Sequence, residues 1–179
     1  MLTITVPARE LFDDRTNEFI YTKAHTLQLE HSLVSISKWE SKWHKPFLTK
    51  ETKTEEEMRD YIRCMTITQN VDPSVYLGLS RNNLVQIKQY IDDTMTATTF
   101  NDKNKKQNHQ VITSELIYYW MVSLNIPFEC QKWHLNRLLT LIHICDIKNT
   151  PAKKMSRRDV MSRNASLNAA RRAKLGTRG

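Results

Sequence analysis

Glycine is almost absent from this chain, and this scarcity limits the folds open to it. Only three glycines occur in 179 residues, and two of them, Gly176 and Gly179, lie among the last four. Because tight turns with positive φ depend on glycine, a turn-rich β-sandwich is disfavoured relative to helices. The 40% hydrophobic and 26% charged residues are typical of a globular protein. We therefore expect a mainly α (α+β) fold: a helical bundle with a small N-terminal β-hairpin and a basic C-terminal helical extension.

Two segments near the amino terminus predict the hairpin. Residues 2–6 alternate apolar and polar side chains, and residues 18–22 form a β-favouring run. Residues 13–17 between them are turn material. Residues 26–29 read nearly equally well as a third extended piece or as the start of a helix. The hairpin region is expected to end at about residue 28.

Apolar residues then recur at helical spacing. One stripe predicts a helix over residues 29–43, ended by Pro46, and consists of Leu29, Leu33, Ile36, Trp39 and Trp43. We expect the two tryptophans to lie in the core or in a subunit interface rather than in a ligand-binding stripe.

Local capping signals predict where the next helices begin. Thr54 and Glu57 form a capping box, in which each side chain satisfies a free backbone amide of the first turn. Asp72 before Pro73 has the pattern of a cap followed by a first-turn proline. Ser80 is the expected cap of a further helix. The polar stretch 101–108 then predicts an exposed loop.

Two helices in the second half are expected to form the heart of the domain. The first starts at Thr113 or Ser114 and runs to Leu124, with apolar residues on nearly every side, which is typical of a buried helix. The second is expected from residue 127 to about Asp146, with Leu135, Leu138, Leu139, Ile142 and Cys145 on its buried face.

Positive charge is concentrated at the carboxyl end. Residues 148–179 hold ten basic side chains against one acid, Asp159, whereas residues 1–147 hold 17 basic and 18 acidic side chains. This predicts a helical domain over 1–147 and a basic arm over 148–179. Within the arm, Ser156 and Asp159 should cap a helix that Gly176 ends. The residues expected to bind a partner are Lys153, Lys154, Arg157, Arg158, Arg163, Arg171, Arg172 and Lys174.

The arm has two readings on chemistry alone. Clustered cations suit phosphate contacts, so nucleic-acid binding is one. Docking on an acidic protein surface is the other, because residues 148–179 contain no aromatic side chain to stack on bases. The body shows no helix-turn-helix or RNA-binding signature.

Catalysis and cofactor binding have little support in the residues. Cys130 and His134 lie one helical turn apart, but His143 and Cys145 are too distant along a helix to complete a zinc shell with them. We expect these to be apolar thiols and ordinary surface or interface histidines. Adjacent carboxylates are explained by turns and helix starts. The sequence therefore predicts a non-enzymatic protein with no cofactor and no metal.

Cysteine usage and hydropathy indicate the cellular compartment in which the protein is expected. The three cysteines have no disulfide-framework spacing and lie in apolar neighbourhoods, which indicates reduced thiols in a cytoplasm. No run of about 18 apolar residues occurs, and the amino terminus lacks the pattern of a signal peptide. Neither membrane spanning nor secretion is expected.

Five stretches carry a resemblance to a known group of proteins. They are LQLEHSLVSISKWESKWHKPFL at 27–48, DYIRCMT at 60–66, TSELIYYWM at 113–121, PFECQKWHLNRLL at 127–139 and SRNASLNAARR at 162–172. Together they resemble a family of proteins from long-tailed bacteriophages and prophages, and the likeness covers nearly the whole chain. No catalytic residues come with it.

The resemblance implies a role in virion morphogenesis. It points to a tail assembly chaperone that holds a structural partner such as the tape-measure protein in the host cytoplasm, through helix-in-groove contacts. The alternatives are a structural component of the tail or neck that stays in the virion, and a nucleic-acid-contacting module acting through residues 148–179. Homo-oligomers are compatible with each of these alternatives.

Overall fold

The computed structural model describes residues 1–13, 17–100, 110–149 and 156–177. The chain divides into two compact units, Met1–Asp146 and Ile147–Gly179. The strands are β1 (Leu2–Val6), β2 (Arg9–Asp13), β3 (Glu18–Thr22) and β4 (His25–Leu29). The helices are α1 (Leu33–Trp43), α2 (Glu55–Met65), α3 (Arg81–Asp92), α4 (Ser114–Ser123), α5 (Leu135–Asn149) and α6 (Arg157–Leu175), with 3₁₀ helices at Pro73–Gly78 and Phe128–Lys132. The mainly α (α+β) class is confirmed.

The strands form two antiparallel pairs, which corrects the expected pairing. Strand β1 pairs with β4, and β2, which the sequence analysis did not anticipate, forms the hairpin with β3. The reason is burial: β1 and β4 place Ile4, Val6, Leu27 and Leu29 in the core, at no more than 2% exposure. Alternation of inward and outward side chains therefore selects β4 as the partner of β1.

The core is centred on β4, α1 and α2. Of the two alternatives for residues 26–29, the structure has the extended one: Leu29 belongs to β4 rather than to a helix, and α1 begins at Leu33 because Ser32 caps it. Trp39 is fully buried, and its indole N–H donates to the Glu57 carbonyl. The α1 helix ends at Trp43, as predicted, and His44 after it adopts the left-handed conformation.

The two helices expected at the heart of the domain each bury one face, and on α5 that face holds Leu135, Leu138 and Ile142. Helix α4 buries Ser114, Ile117 and Met121, but Tyr119 and Val122 are 65% and 59% exposed. Its apolar residues therefore do not mark a helix surrounded by protein.

The expected helix over 127–146 is broken. Phe128–Lys132 is a 3₁₀ helix, and α5 begins at Leu135. The break coincides with a cross-chain contact, in which His134 forms a β-bridge with Ser32 and the Leu135 amide donates to the His31 carbonyl at 2.7 Å. These backbone bonds replace those that a continuous helix would make.

Capping residues lie where the sequence placed them. Thr54 and Glu57 form the capping box of α2, Ser80 caps α3, and Asp72 caps the first 3₁₀ helix. In the second unit, Ser156 caps α6 and Gly176 ends it at φ 64°. None of the described helices is long and apolar enough to cross a membrane.

Candidate partner-binding surfaces

Helix α6 carries most of the residues expected to bind a partner. Six of them lie on it, namely Arg157, Arg158, Arg163, Arg171, Arg172 and Lys174, and all six are exposed. Lys153 and Lys154 lie outside the described residues. At 3.6 residues per turn the six cations cover about 220° of the helix circumference. The helix therefore presents positive charge in most directions.

Apolar side chains on α6 are few and uncovered. Val160 and Leu167 are 40% and 45% exposed, and Met161 and Leu175 are more exposed still. No described residue from 156 to 177 is buried. Because most helical stability in proteins comes from packing of an apolar face, contact with a partner would stabilise α6.

An apolar groove lies in the body of the first unit, between α2, α3 and the first 3₁₀ helix. Its volume is about 720 Å³. Met58 and Ile62 of α2 line one wall, and Leu84 and Ile91 of α3 line another. This groove was not predicted, although the caps of α2 and α3 were, because local patterns do not determine how consecutive helices pack against each other.

A buried polar cluster lies beneath α1 and α5. The rings of His31 and His134 are 5.1 Å apart, and both residues are less than 7% exposed. His134 donates from Nε2 to the Tyr90 carbonyl at 2.9 Å and accepts at Nδ1 from the Asn136 amide. His31 Nδ1 is hydrogen-bonded to the Tyr61 hydroxyl. Burial, helped by the positive potential of His134, lowers the pKa of His31 to about 3.

This cluster corrects the expectation that His134 is a surface or interface histidine. Its imidazole is satisfied inside the body, where it joins the segments before α1 and α5. Burial also raises the pKa of the Tyr61 hydroxyl. Burial therefore favours the neutral forms of His31 and Tyr61, and both side chains pack inside the body.

The described parts of the chain contain no group of side chains arranged for metal binding or for nucleophilic catalysis. Within these parts, no three His, Cys, Asp or Glu side chains converge to hold a metal ion. Cys64, Cys130 and Cys145 are free thiols. Burial raises the pKa of the Cys64 thiol, the opposite of what activates a nucleophile.

Comparison of the chain with protein-family models, curated proteins and solved structures finds no match.

Proposed function

We propose that this chain is a non-enzymatic bacteriophage tail assembly factor of the chaperone type, which holds a structural partner such as the tape-measure protein until assembly. The observation that supports this most directly is α6, a 19-residue helix with six exposed cations and no buried residue. The phage context comes from the sequence resemblance.

The charge of α6 defines the partner's chemistry. Cations on most sides of one helix repel each other, and that repulsion is relieved when an anionic surface approaches. Contacts of this type accelerate association and weaken with salt. A holding protein benefits from such contacts, because the partner must also be released during assembly.

Co-expression with the tape-measure and tube proteins of the same genome tests the proposal. We expect the protein to co-purify with one of them and to be absent from finished particles. Changing Arg157, Arg158, Arg171 and Arg172 to glutamine should weaken capture at least tenfold. The matched control changes four exposed cations of the first unit to glutamine, namely Lys23, Lys38, Lys50 and Arg81. This control alters net charge equally and should leave capture intact.

Two results would contradict the chaperone role. Stoichiometric copies in purified virions would make the protein a structural component of the tail or neck. Equal loss of capture in the arm variant and in the control variant would show that net charge, rather than α6, attracts the partner.

The spread of cations around α6 also favours a second candidate, contact with nucleic acid phosphates. Affinity for a generic DNA duplex, measured at about 50 mM and 200 mM salt, separates the two. A protein making six phosphate contacts loses about a thousandfold in affinity over this range. Weak, salt-insensitive binding would eliminate the nucleic-acid function.

A further inference from the structure

The groove in the first unit exposes large apolar side chains that a folded body normally covers. Leu84 of α3 is 47% exposed and Leu77 of the first 3₁₀ helix is 42% exposed. The floor reaches side chains of the core itself, Ile62 and Ile87, which are at most 2% exposed. An occupant would therefore add to the existing core rather than rest on a polar surface.

The lining follows helical spacing. On α3, Leu84, Lys88 and Ile91 lie at positions i, i+4 and i+7, and on α2, Met58 and Ile62 lie one turn apart. Rows with this spacing form the ridges that interdigitate when helices pack. Helices of 11 and 12 residues are about 17 Å long, enough to contact roughly three turns of another helix.

The charged side chains at the groove lining are Lys53, Arg59 and Lys88 against Glu55 and Asp92, which leaves the lining with a net positive charge. Its ammonium group lies over the Phe47 ring, 4.6 Å from the centroid, at the groove lining. Within the described ranges, no carboxylate approaches Lys53 Nζ to within 4.0 Å. Burial lowers the pKa of this half-buried amine, despite the opposing charges of Glu57 and Glu51. A half-buried cation without an ion pair favours an occupant that brings an anion.

We propose that the groove between α2, α3 and the first 3₁₀ helix binds one amphipathic helix of a partner protein, with its apolar side chains against Met58, Leu84 and Ile91 and a carboxylate paired with Lys53. The inference deepens the proposed function, and rests on it only in taking the occupant to be a protein. The binding mode is helix-in-groove recognition, anchored at i, i+3 or i+4, and i+7.

The charge of the groove favours an acidic partner helix over helix α6 of a second copy of the chain. The exposed apolar residues of α6 come with six cations, which Lys53 would repel. An acidic amphipathic helix has the opposite charge and matches both the lining and Lys53.

Selection from a display library of 16-residue helix-forming peptides tests the proposal on the full chain. We expect enrichment of sequences with apolar residues at i, i+3 or i+4, and i+7 and one flanking Glu or Asp. Binding of the enriched peptides should fall at least tenfold in Leu84→Glu. The matched control is Val85→Glu, because Val85 is the next residue of α3, is 49% exposed and lies outside the groove.

A second pair of variants tests whether Lys53 causes the preference for an acidic residue in the peptide. Lys53→Gln should abolish the preference for an acidic residue, so that a peptide and its Glu→Gln counterpart bind equally. Lys50→Gln removes an exposed lysine three residues earlier and should keep the preference. Circular dichroism of all four variants establishes that they fold.

Four outcomes of the measurements on the purified protein would overturn the proposal. They are no enriched peptide, enriched peptides that bind Leu84→Glu as well as wild type, a fatty acid retained by the purified protein that peptides cannot displace, and a homodimer that Leu84→Glu dissociates. The library contains no phage sequence, so failure of tail proteins to co-purify would not change its result. Conversely, co-purification that survives Leu84→Glu would contradict the groove and leave the proposed function standing.

Discussion

Glu40 Oε2 accepts a hydrogen bond of 2.8 Å from the backbone amide of Ser114, 74 residues further along the chain. Its second oxygen, Oε1, accepts one of 2.7 Å from the Phe47 amide. Ser114 is the first residue of α4, so a carboxylate of α1 satisfies a free amide at the start of another helix. The side chain is only 7% exposed, and its charge is stabilised by these two donors and by the positive end of the helix dipole.

Glu40→Gln should therefore destabilise the protein by about 2 kcal/mol, because the new amide group must face one of two backbone donors in a buried site. Urea unfolding at pH 7 followed by tryptophan fluorescence measures this free energy. Glu51→Gln, at an exposed position, is the control and should stay within about 0.5 kcal/mol of wild type. Equal stability of the two variants would show that the hydrogen bond from the Ser114 amide to Glu40 does not stabilise the fold.

The pH dependence of stability should report the burial of His31. Its pKa is about 3 in the folded state and near 6.5 in the unfolded chain, so between these values only the unfolded state takes up a proton. Stability is retained above pH 6.5 and lost as the pH falls toward 3. At pH 5 the loss from this residue is about 2 kcal/mol.

The variant His31→Gln isolates that contribution. Its free energy of unfolding should change less than that of wild type between pH 7 and pH 5, by about 2 kcal/mol. His44→Asn, which removes an exposed imidazole and places a tolerant residue at a positive φ, is the control. An unchanged pH slope in His31→Gln would mean that His31 is protonated inside the fold.

Asp60 of α2, which is 8% exposed, contacts Lys42 and Trp43 of α1 and Arg63 of its own helix. Its carboxylate accepts from Lys42 Nζ at 2.7 Å and Trp43 Nε1 at 2.8 Å, and Arg63 lies at 2.9 Å. Burial alone would raise the pKa of Asp60, but the hydrogen bonds from Lys42 and Trp43 and the charge of Arg63 bring it below its usual value.

Asp60→Asn should cost about 2 kcal/mol at pH 7, because the charge and one acceptor are lost while the donors remain. Since the folded pKa of Asp60 is lowered, the stabilisation is present above about pH 4 and is lost as the pH falls through that folded value. The difference from wild type should therefore shrink in acid. Glu56→Gln, at an exposed position four residues earlier on α2, serves as the control. A difference that stays constant with pH would argue against the charged contacts.

The features predicted from sequence are those that a few neighbouring residues determine. The caps Thr54, Ser80 and Ser156 bond to amides only three residues away, so the starts of α2, α3 and α6 could be read locally. The arrangement of the cations around α6 could be predicted once the helix was predicted. The solvent exposure of α6 could be predicted from its many basic and few apolar residues.

The predictions that were wrong depend on contacts between separate segments of the chain. The break before α5 depends on Leu135 bonding to His31, and the exposed side of α4 depends on which face meets α1. Apolar residues all around α4 gave no signal of which side is exposed. The groove around Leu84 was missed although α2 and α3 were predicted from their caps, because the caps do not determine how the two helices pack against each other.

Removing the arm should leave the first unit as stable as before. A chain ending at Asn149 lacks α6, in which no residue is buried, so the loss of this helix removes no buried apolar surface. We expect the free energy of unfolding to change by less than about 0.5 kcal/mol, as for other surface changes. Helical ellipticity at 222 nm should fall in proportion to the fraction of the protein's helical residues that the 19 residues of α6 represent. A loss of more than about 1 kcal/mol would contradict this prediction and show that the arm stabilises the first unit.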